Sequence, residues 1–403
     1  MNILIVSQYY APEPLPKVTE LAVGLTEKGH KVTVITGFPN YPYGRIFAGY
    51  KLRWWSVEFI AGVRVVRVPL YPDHSRSKFR RFLNFISFSV SAIVAGLVIR
   101  RHDVMVVFHP PLTMGVVAWV ISRVKRVKYI YCVTDLWPDL MVASGVVKSR
   151  ILVRLLTVLE HFAYKSADIV APNSYGMVDR LQQKGVLLEK IRVLPDWADE
   201  ELFRPVPPDL GFSQQYGFDT HFTIMFAGQL GVAQDLDTFI DALKLLESNL
   251  DVWGVIVGDG LEKDRLMAKV RELGLANVCF TGRVPQESMP SIYATADVML
   301  VQLGSARGFS MSVPQKVYGY MGAGRPILGA VSGATADLIN RADCGLVCLP
   351  GDAGAMATCI TEFAQISKLR REQMGENGRQ QFLLEYSRSV TLSKYELTLK
   401  ELM

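Results

Sequence analysis

Short apolar runs alternate with helical patterns along this chain, and that alternation restricts it to parallel strands joined by crossover helices. "NILIVS" (2–7) opens the series, "VTELAVGLTEKGH" (18–30) reads as an amphipathic helix closed by Gly29, and "KVTVIT" (31–36) returns as a second strand. "VRVVRVPL", "DVMVVFH", "KYIYCVTD", "DIVAPN" and "IRVLPD" carry the pattern to residue 196. A Pro-rich joint, "RPVPPDLGF" (204–212), interrupts it. Beyond the joint, "FTIMFAG", "VWGVIVGDG", "VCFTGRV", "DVMLVQL", "RPILGAV" and "CGLVCL" form a second series. At 403 residues the chain exceeds one ordinary core, so two domains of about 200 residues are expected. Both halves read as doubly wound α/β domains, whose ligands bind beyond the carboxyl ends of the strands, and a cleft between the two is the expected site.

Apolar residues make up 50% of the chain and charged residues 20%, a composition that excludes long disordered stretches. The five cysteines (132, 279, 344, 348, 359) are odd in number and lack C-x-x-C spacing, and no secretory signal precedes "MNILIVSQYY". Reduced thiols in a cytoplasmic protein are the simplest reading. The net charge of +6 conceals an asymmetry. Residues 1–200 hold 26 Lys and Arg against 15 Asp and Glu, whereas residues 201–403 hold 18 against 23. One half is therefore suited to an anionic surface. Aromatic platforms and recognition modules for nucleic acid are missing, which leaves a membrane leaflet as the expected partner.

Glycines follow the strands of the second half at Gly228, Gly231, Gly258 and Gly260. Such turns let backbone N–H groups approach a phosphate, although each alone is also an ordinary turn glycine. "SVPQKVYGYMGAGRPIL" (312–328) places Lys316 in the first turn of a helix behind Pro314, where an ammonium adds to the positive end of the helix dipole. A diphosphate fits there; a solvated surface Lys is the alternative. Arg283, after "VCFTG", is a second phosphate candidate and Arg307 a third, and Val284 offers backbone bonds to a base. In the first half, "QYYAPEP" (8–14) follows the first strand, so the side chains of Tyr9, Tyr10 and Glu13 would face the cleft. Glu13 could bond a ligand hydroxyl or assist proton transfer, or be solvated. His109 in "VVFHPP" could line the same site or be a core histidine.

"FAGQLGVAQDLDTFIDAL" (226–243), "VGDGLEKDRL" (257–266), "FTGRVPQESMPSIYATADVML" (280–300) and "PQKVYGYMGAGRPIL" (314–328) occur in an order and spacing that resemble retaining GT-B glycosyltransferases. More narrowly, "SQYYAPE", "GHKVTVITGFPNYP" and "TDLWPD" are similar to the branch that builds bacterial surface polysaccharides, including N-acetylfucosaminyl and colanic-acid transferases. The resemblance spans nearly the whole chain. It implies a GT-B fold: a first Rossmann-like domain, 1–203, that binds acceptor and faces the membrane, a second, 204–384, that binds the nucleotide-sugar donor, and a helix, 385–403, that returns to the first. It assigns the donor to Gly228, Gln229, Gly231, Gly258, Asp259, Arg283, Val284, Arg307, Lys316 and Val317, and the acceptor to Tyr9, Tyr10, Glu13, His109 and Trp137.

Relatives place a His near the reacting sugar at a position that Asp135 fills here; Asp135 could orient the acceptor hydroxyl or stabilise oxocarbenium-like charge, or instead cap the following turn. Asp135, Glu13 and Lys316 are thus the catalytic candidates. Two departures stand out. Gly319 occupies the place of a Glu that binds ribose in relatives, and "GQLGVAQD" lacks the Arg and Lys that often hold the diphosphate. The resemblance to GT-B enzymes, which are metal-independent, implies that neither a metal nor another cofactor is needed.

"FLNFISFSVSAIVAGLVI" (82–99) is uncharged and bracketed by "RSKFRR" and "RRHD". A strand begins four residues later, so a helix lying on the membrane surface is expected rather than a span. The leading expectation is a peripheral enzyme at the cytoplasmic face of the inner membrane that moves an N-acetylated amino or deoxy sugar, from UDP and with retention, to a polyprenyl-diphosphate-linked saccharide in O-antigen or capsule assembly. A nucleotide-sugar epimerase or hydrolase of the same architecture, and a non-catalytic sugar-nucleotide-binding protein, are the alternatives.

Overall fold

The structure, a computed structural model, describes all residues except 76, 144–146, 148, 248–250 and 305–309. The chain forms two compact units, residues 1–195 with 392–403, and residues 196–391.

Unit 1 is built on a sheet of β1 (Asn2–Val6), β2 (Lys31–Gly37), β3 (Ser56–Ile60), β4 (Val63–Val68), β5 (Val104–His109), β6 (Lys128–Val133) and β7 (Ile169–Pro172), in the order β3-β4-β2-β1-β5-β6-β7. All neighbours are parallel except β3, which pairs antiparallel with β4 at the edge. Parallel strands need crossover helices, and these cover the sheet; Ile3, Ile5, Val34, Val65, Val106 and Ile130 are fully buried. The order reverses between β1 and β5, so the chain segments leaving those strands diverge and open a crevice at their carboxyl ends.

Unit 2 repeats the plan with β8 (Phe222–Ala227), β9 (Val252–Val257), β10 (Val278–Gly282), β11 (Val298–Gln302), β12 (Ile327–Ala330) and β13 (Gly345–Cys348). Its order is β10-β9-β8-β11-β12-β13, all parallel, with the reversal between β8 and β11. Two hydrophobic clusters, one around Phe239, Ile256 and Leu300 and the other around Met225, Tyr320 and Ile339, fill its two faces.

Three sequence expectations change. "IRVLPD" is not a strand: only Ile191 bridges Val170 on β7. β3 lies in "SVEFI", which the sequence reading passed over because its alternating exposure at an edge lacks a continuous apolar run. The junctions fall at 195/196 and 391/392 rather than 203/204 and 384/385. The reason is contact: Ala198 pairs with Tyr386 and Arg388 through backbone bonds of 3.2 and 3.0 Å, and Phe203 packs on the helix Gln315–Gly322, so residues 196–203 belong to unit 2.

The final helix, Arg388–Glu401, enters unit 1 from residue 392. Leu392 packs where Gly24 lacks a side chain, Lys28 pairs with Glu396 at 3.4 Å, and Leu399 is fully buried. Leu399→Ala should therefore lower the stability of unit 1 by about 2–5 kcal/mol. A thermal unfolding scan in which the first transition does not move would show that this helix is not part of the unit's core.

Candidate functional site

The crevice of unit 2 is made by turns that touch through their backbones. Gly228 N–H donates to Val257 O and Gly258 N–H to Gly282 O, both at 2.9 Å, which stitches the ends of β8, β9 and β10. A Cβ on Gly258 would lie 1.8 Å from the Gly228 carbonyl oxygen, and one on Gly260 would lie 2.1 Å from that of Leu230. Gly258 also has φ +143°, outside the range of L side chains. These glycines are thus required by turn-on-turn packing, which leaves the edge of the crevice lined by main chain. Gln229 and Asp259 are exposed on it, and Gly231 donates to Gln234 Oε1 at 3.1 Å.

Lys316 stands at the first turn of Gln315–Gly322. One turn later, the Tyr320 hydroxyl donates to Ala227 O and accepts from Ala227 N, each at 3.0 Å, which fixes this helix to the end of β8. The side chain of Lys316 consequently runs along the switch point, with Nζ 3.6 Å from the centre of the Phe226 ring and 2.8 Å from where a Cβ on Gly228 would sit. The residue as a whole is half-exposed, but its Nζ is shut in and has no hydrogen-bond partner. Burial alone pulls its pKa down to about 7.

Gly319 has a different role from the one its place in the motif suggests. A Cβ there would be 3.4 Å from the Phe203 ring, so residues 196–203 cover the position and a longer side chain would displace Phe203. Arg283 is exposed beyond β10, and Val284 is half-buried against the core. Val317 is fully buried in the core, and its N–H donates to Pro314 O at 3.0 Å. Arg307 lies outside the described residues. The sequence reading missed Lys263, whose Nζ is 3.8 Å from Asp259 and 3.9 Å from the Cβ position of Gly282; the signal was a Lys just after "GDG".

In unit 1, residues after β1 and β5 form the corresponding crevice. Glu13 is buried, and its carboxylate accepts N–H bonds from Tyr10 (3.2 Å), Asn40 (2.8 Å) and Tyr41 (2.8 Å). Both oxygens are used, so Glu13 clamps the loop after β1 to the loop after β2 rather than standing free for an acceptor. Desolvation still raises its pKa, against those three bonds. The clamp presents Tyr9, whose ring is 5.3 Å from Tyr41 and 6.1 Å from His74, while His74 Nε2 bonds Asn40 Oδ1 at 2.9 Å. Tyr10, by contrast, is fully buried, and its hydroxyl has no hydrogen-bond partner.

His109 closes β5. It is buried, neither ring nitrogen has a partner, and desolvation lowers its pKa to about 3, so it is a neutral imidazole. Its ring meets Trp137 edge-on at 5.5 Å, and Thr134 donates to its carbonyl at 2.7 Å. Asp135 is half-buried in the same turn, and its carbonyl accepts from Trp137 N. His109, Asp135 and Trp137 are thereby brought together.

Two sheets of this order with these crevices define the GT-B architecture. Solved structures agree: sucrose-phosphate synthase from Thermosynechococcus elongatus superposes with TM-score 0.78 at 17% identity over 100% of this chain and 98% of that one. Anabaena HepE in complex with UDP and glucose gives TM-score 0.72 at 18% identity over 99% of each chain. Residues 212–381 match the family "Glycosyl transferases group 1", and residues 16–197 match "Glycosyl transferase 4-like domain". Each half of the chain thus matches a glycosyltransferase family model, and the chain is a glycosyltransferase enzyme. Similar proteins include the putative colanic acid biosynthesis glycosyl transferase WcaI of Escherichia coli K12, 27% identical over 75% of this chain and 76% of that protein. The probable glycosyltransferase WbjE of Pseudomonas aeruginosa is 28% identical over the same shares.

A buried, unpartnered amine costs stability. Lys316→Met keeps the length and removes that group, so unit 2 should gain about 1–3 kcal/mol and melt higher by roughly 2–4 °C per kcal/mol. A lower melting temperature in calorimetry would mean that Nζ has a partner in the free protein.

Proposed function

We propose that this glycosyltransferase takes an N-acetylated amino or deoxy sugar from a UDP-linked donor held by unit 2 and transfers it, with retention, to a polyprenyl-diphosphate-linked saccharide held by unit 1. The observation that carries the donor reading is the orphaned Lys316 amine at the β8–β11 switch point beside a main-chain cradle. A diphosphate supplies the missing anion, and the turn N–H groups and the helix start add to its field. Arg283 and Lys263 stand on the same rim. That HepE was solved with UDP supports the choice of base, and the polysaccharide relatives support the acceptor class.

As the bond from the sugar C1 to phosphate breaks, charge develops on the leaving diphosphate, where protonated Lys316 stabilises it. The acceptor oxygen bonds C1 on the face the phosphate leaves, and its proton passes to the departing phosphate oxygen. Asp135 and the neutral His109, beside Trp137, orient the acceptor hydroxyl, and Tyr9 and Tyr41 offer ring faces to the saccharide. The enzyme works at the cytoplasmic face of the inner membrane. Supporting this, the helix Lys78–Val98 exposes Phe79, Val90, Val94 and Val98, and Arg80, Arg81, Arg100 and Arg101 surround it. Arg76 lies outside the described residues. The opposite face of that helix buries Asn84, Phe88, Ala92 and Ala95 in unit 1, which favours a helix lying in the membrane plane over a span.

Lys316→Met should reduce turnover by about 10²-fold, roughly 3 kcal/mol of lost charge stabilisation. Unchanged turnover of UDP-sugars on lipid-linked acceptor would remove Lys316 from the site. Because the free amine titrates near pH 7 while a bound diphosphate favours the charged form, UDP binding above that pH draws a proton from solvent. Affinity should fall as pH rises above about 7. Titration calorimetry in two buffers of different ionisation enthalpy reads this uptake, and no uptake at pH 8, or the same uptake in Lys316→Met, contradicts it.

A further inference from the structure

The helix Arg150–Ser166 carries a feature that its role in the fold leaves unexplained. Ile151, Leu155, Val158 and Phe162 recur at i, i+4, i+7 and i+11, so they form one stripe, and all four face solvent; Ile151 and Val158 are 75% and 69% exposed. The inner side of the same helix is packed: Ala163 meets Gly115 so closely that a Cβ there would lie 2.3 Å away, and Glu160 is buried with Lys184 at 2.7 Å. The apolar stripe is therefore the outer face of a fixed helix, not a loose end.

Its neighbours extend it. The helix Met114–Lys125 lies between Arg150–Ser166 and Lys78–Val98, touching the first through Gly115 and the second where Ile121 fills the space at Gly96. Trp119, 38% exposed, sits 5.6 Å from Phe162 and continues the apolar surface across the middle helix. Lys78–Val98 pack over β2 and β4 and Met114–Lys125 over β5 and β6, so the three make one layer across the sheet of unit 1. Together they hold eight Lys and Arg and one acid, Glu160, which is buried and paired.

We infer, resting on the membrane reading above, that Arg150–Ser166 is a second lipid-facing helix, and that it, Trp119 and Lys78–Val98 form a three-helix face that lies flat on an anionic bilayer. Aliphatic stripes enter the interface between headgroups and acyl chains, while basic side chains at the helix ends and flanks meet lipid phosphates. Charge decides against a second copy of the chain as occupant: a two-fold pairing of this face would set basic groups against basic groups. Nucleic acid would leave the aliphatic stripes unused.

The experiment is co-flotation with phosphatidylethanolamine–phosphatidylglycerol vesicles, using the full chain and the double variant Leu155→Glu and Val158→Glu. Val90→Glu with Val94→Glu serves as the variant of the other helix, and Leu245→Glu, exposed on unit 2, as the control. The inference expects each double variant to lose about tenfold or more in vesicle affinity. It expects Leu245→Glu to lose nothing, and UDP-sugar transfer to a water-soluble acceptor to persist in all of them. Flotation that responds to Val90 and Val94 but not to Leu155 and Val158 overturns this inference and leaves the membrane reading standing. A parent protein that does not float overturns both. A parent that is dimeric by light scattering and becomes monomeric with Leu155→Glu and Val158→Glu also overturns it, assigning the face to a partner copy.

Discussion

Parallel pairing governs this molecule. Parallel strands cannot be joined by a tight turn, so each connection crosses the sheet as a helix and delivers every strand's carboxyl end to the same edge. Where the winding reverses, between β1 and β5 and between β8 and β11, neighbouring connections diverge and no helix closes the gap. Everything placed in the two crevices here follows from that constraint. The glycine turns can meet backbone to backbone only because β8, β9 and β10 end level, and Tyr320 can grip Ala227 only because its helix begins beside β8.

Within each crevice, stability has been given up or redirected. Lys316 keeps an amine dry over Phe226 with no hydrogen-bond partner, which costs stability. His109 does the same in neutral form, with two ring nitrogens unpaired beside Trp137. Glu13 shows the opposite arrangement. A carboxylate after β1 looks like chemistry, yet three main-chain N–H groups consume it, and its work is to hold Tyr9 against Tyr41 and His74.

The outer face of unit 1 obeys a separate logic. A soluble enzyme covers its sheet with helices whose outer sides are polar. Here the outer sides of Lys78–Val98 and Arg150–Ser166 carry exposed aliphatic residues, and the charges on the two helices are basic except for the buried Glu160. Such a surface is costly in water and suited to an interface where apolar groups and cations are both accommodated.

The order of apolar runs was enough to determine two doubly wound sheets, because buried parallel strands leave a local signature in every stretch of chain; β3 escaped because an edge strand exposed on alternate residues leaves none. Motif spacing likewise put Lys316 and the turn glycines at the carboxyl ends of the unit 2 strands. What local pattern could not hold is which side of a residue faces what. Only the tertiary structure decided that Gly319 lies under Phe203, from a segment more than a hundred residues earlier, and that Val317 and Tyr10 are core. It also decided that Glu13 is spent on backbone and that the stripe on Arg150–Ser166 points outward, where its sequence pattern would serve equally well pointing in. Periodicity fixes that a helix has an apolar face; packing between distant segments fixes whether that face is buried, and so whether it belongs to the core or to a partner.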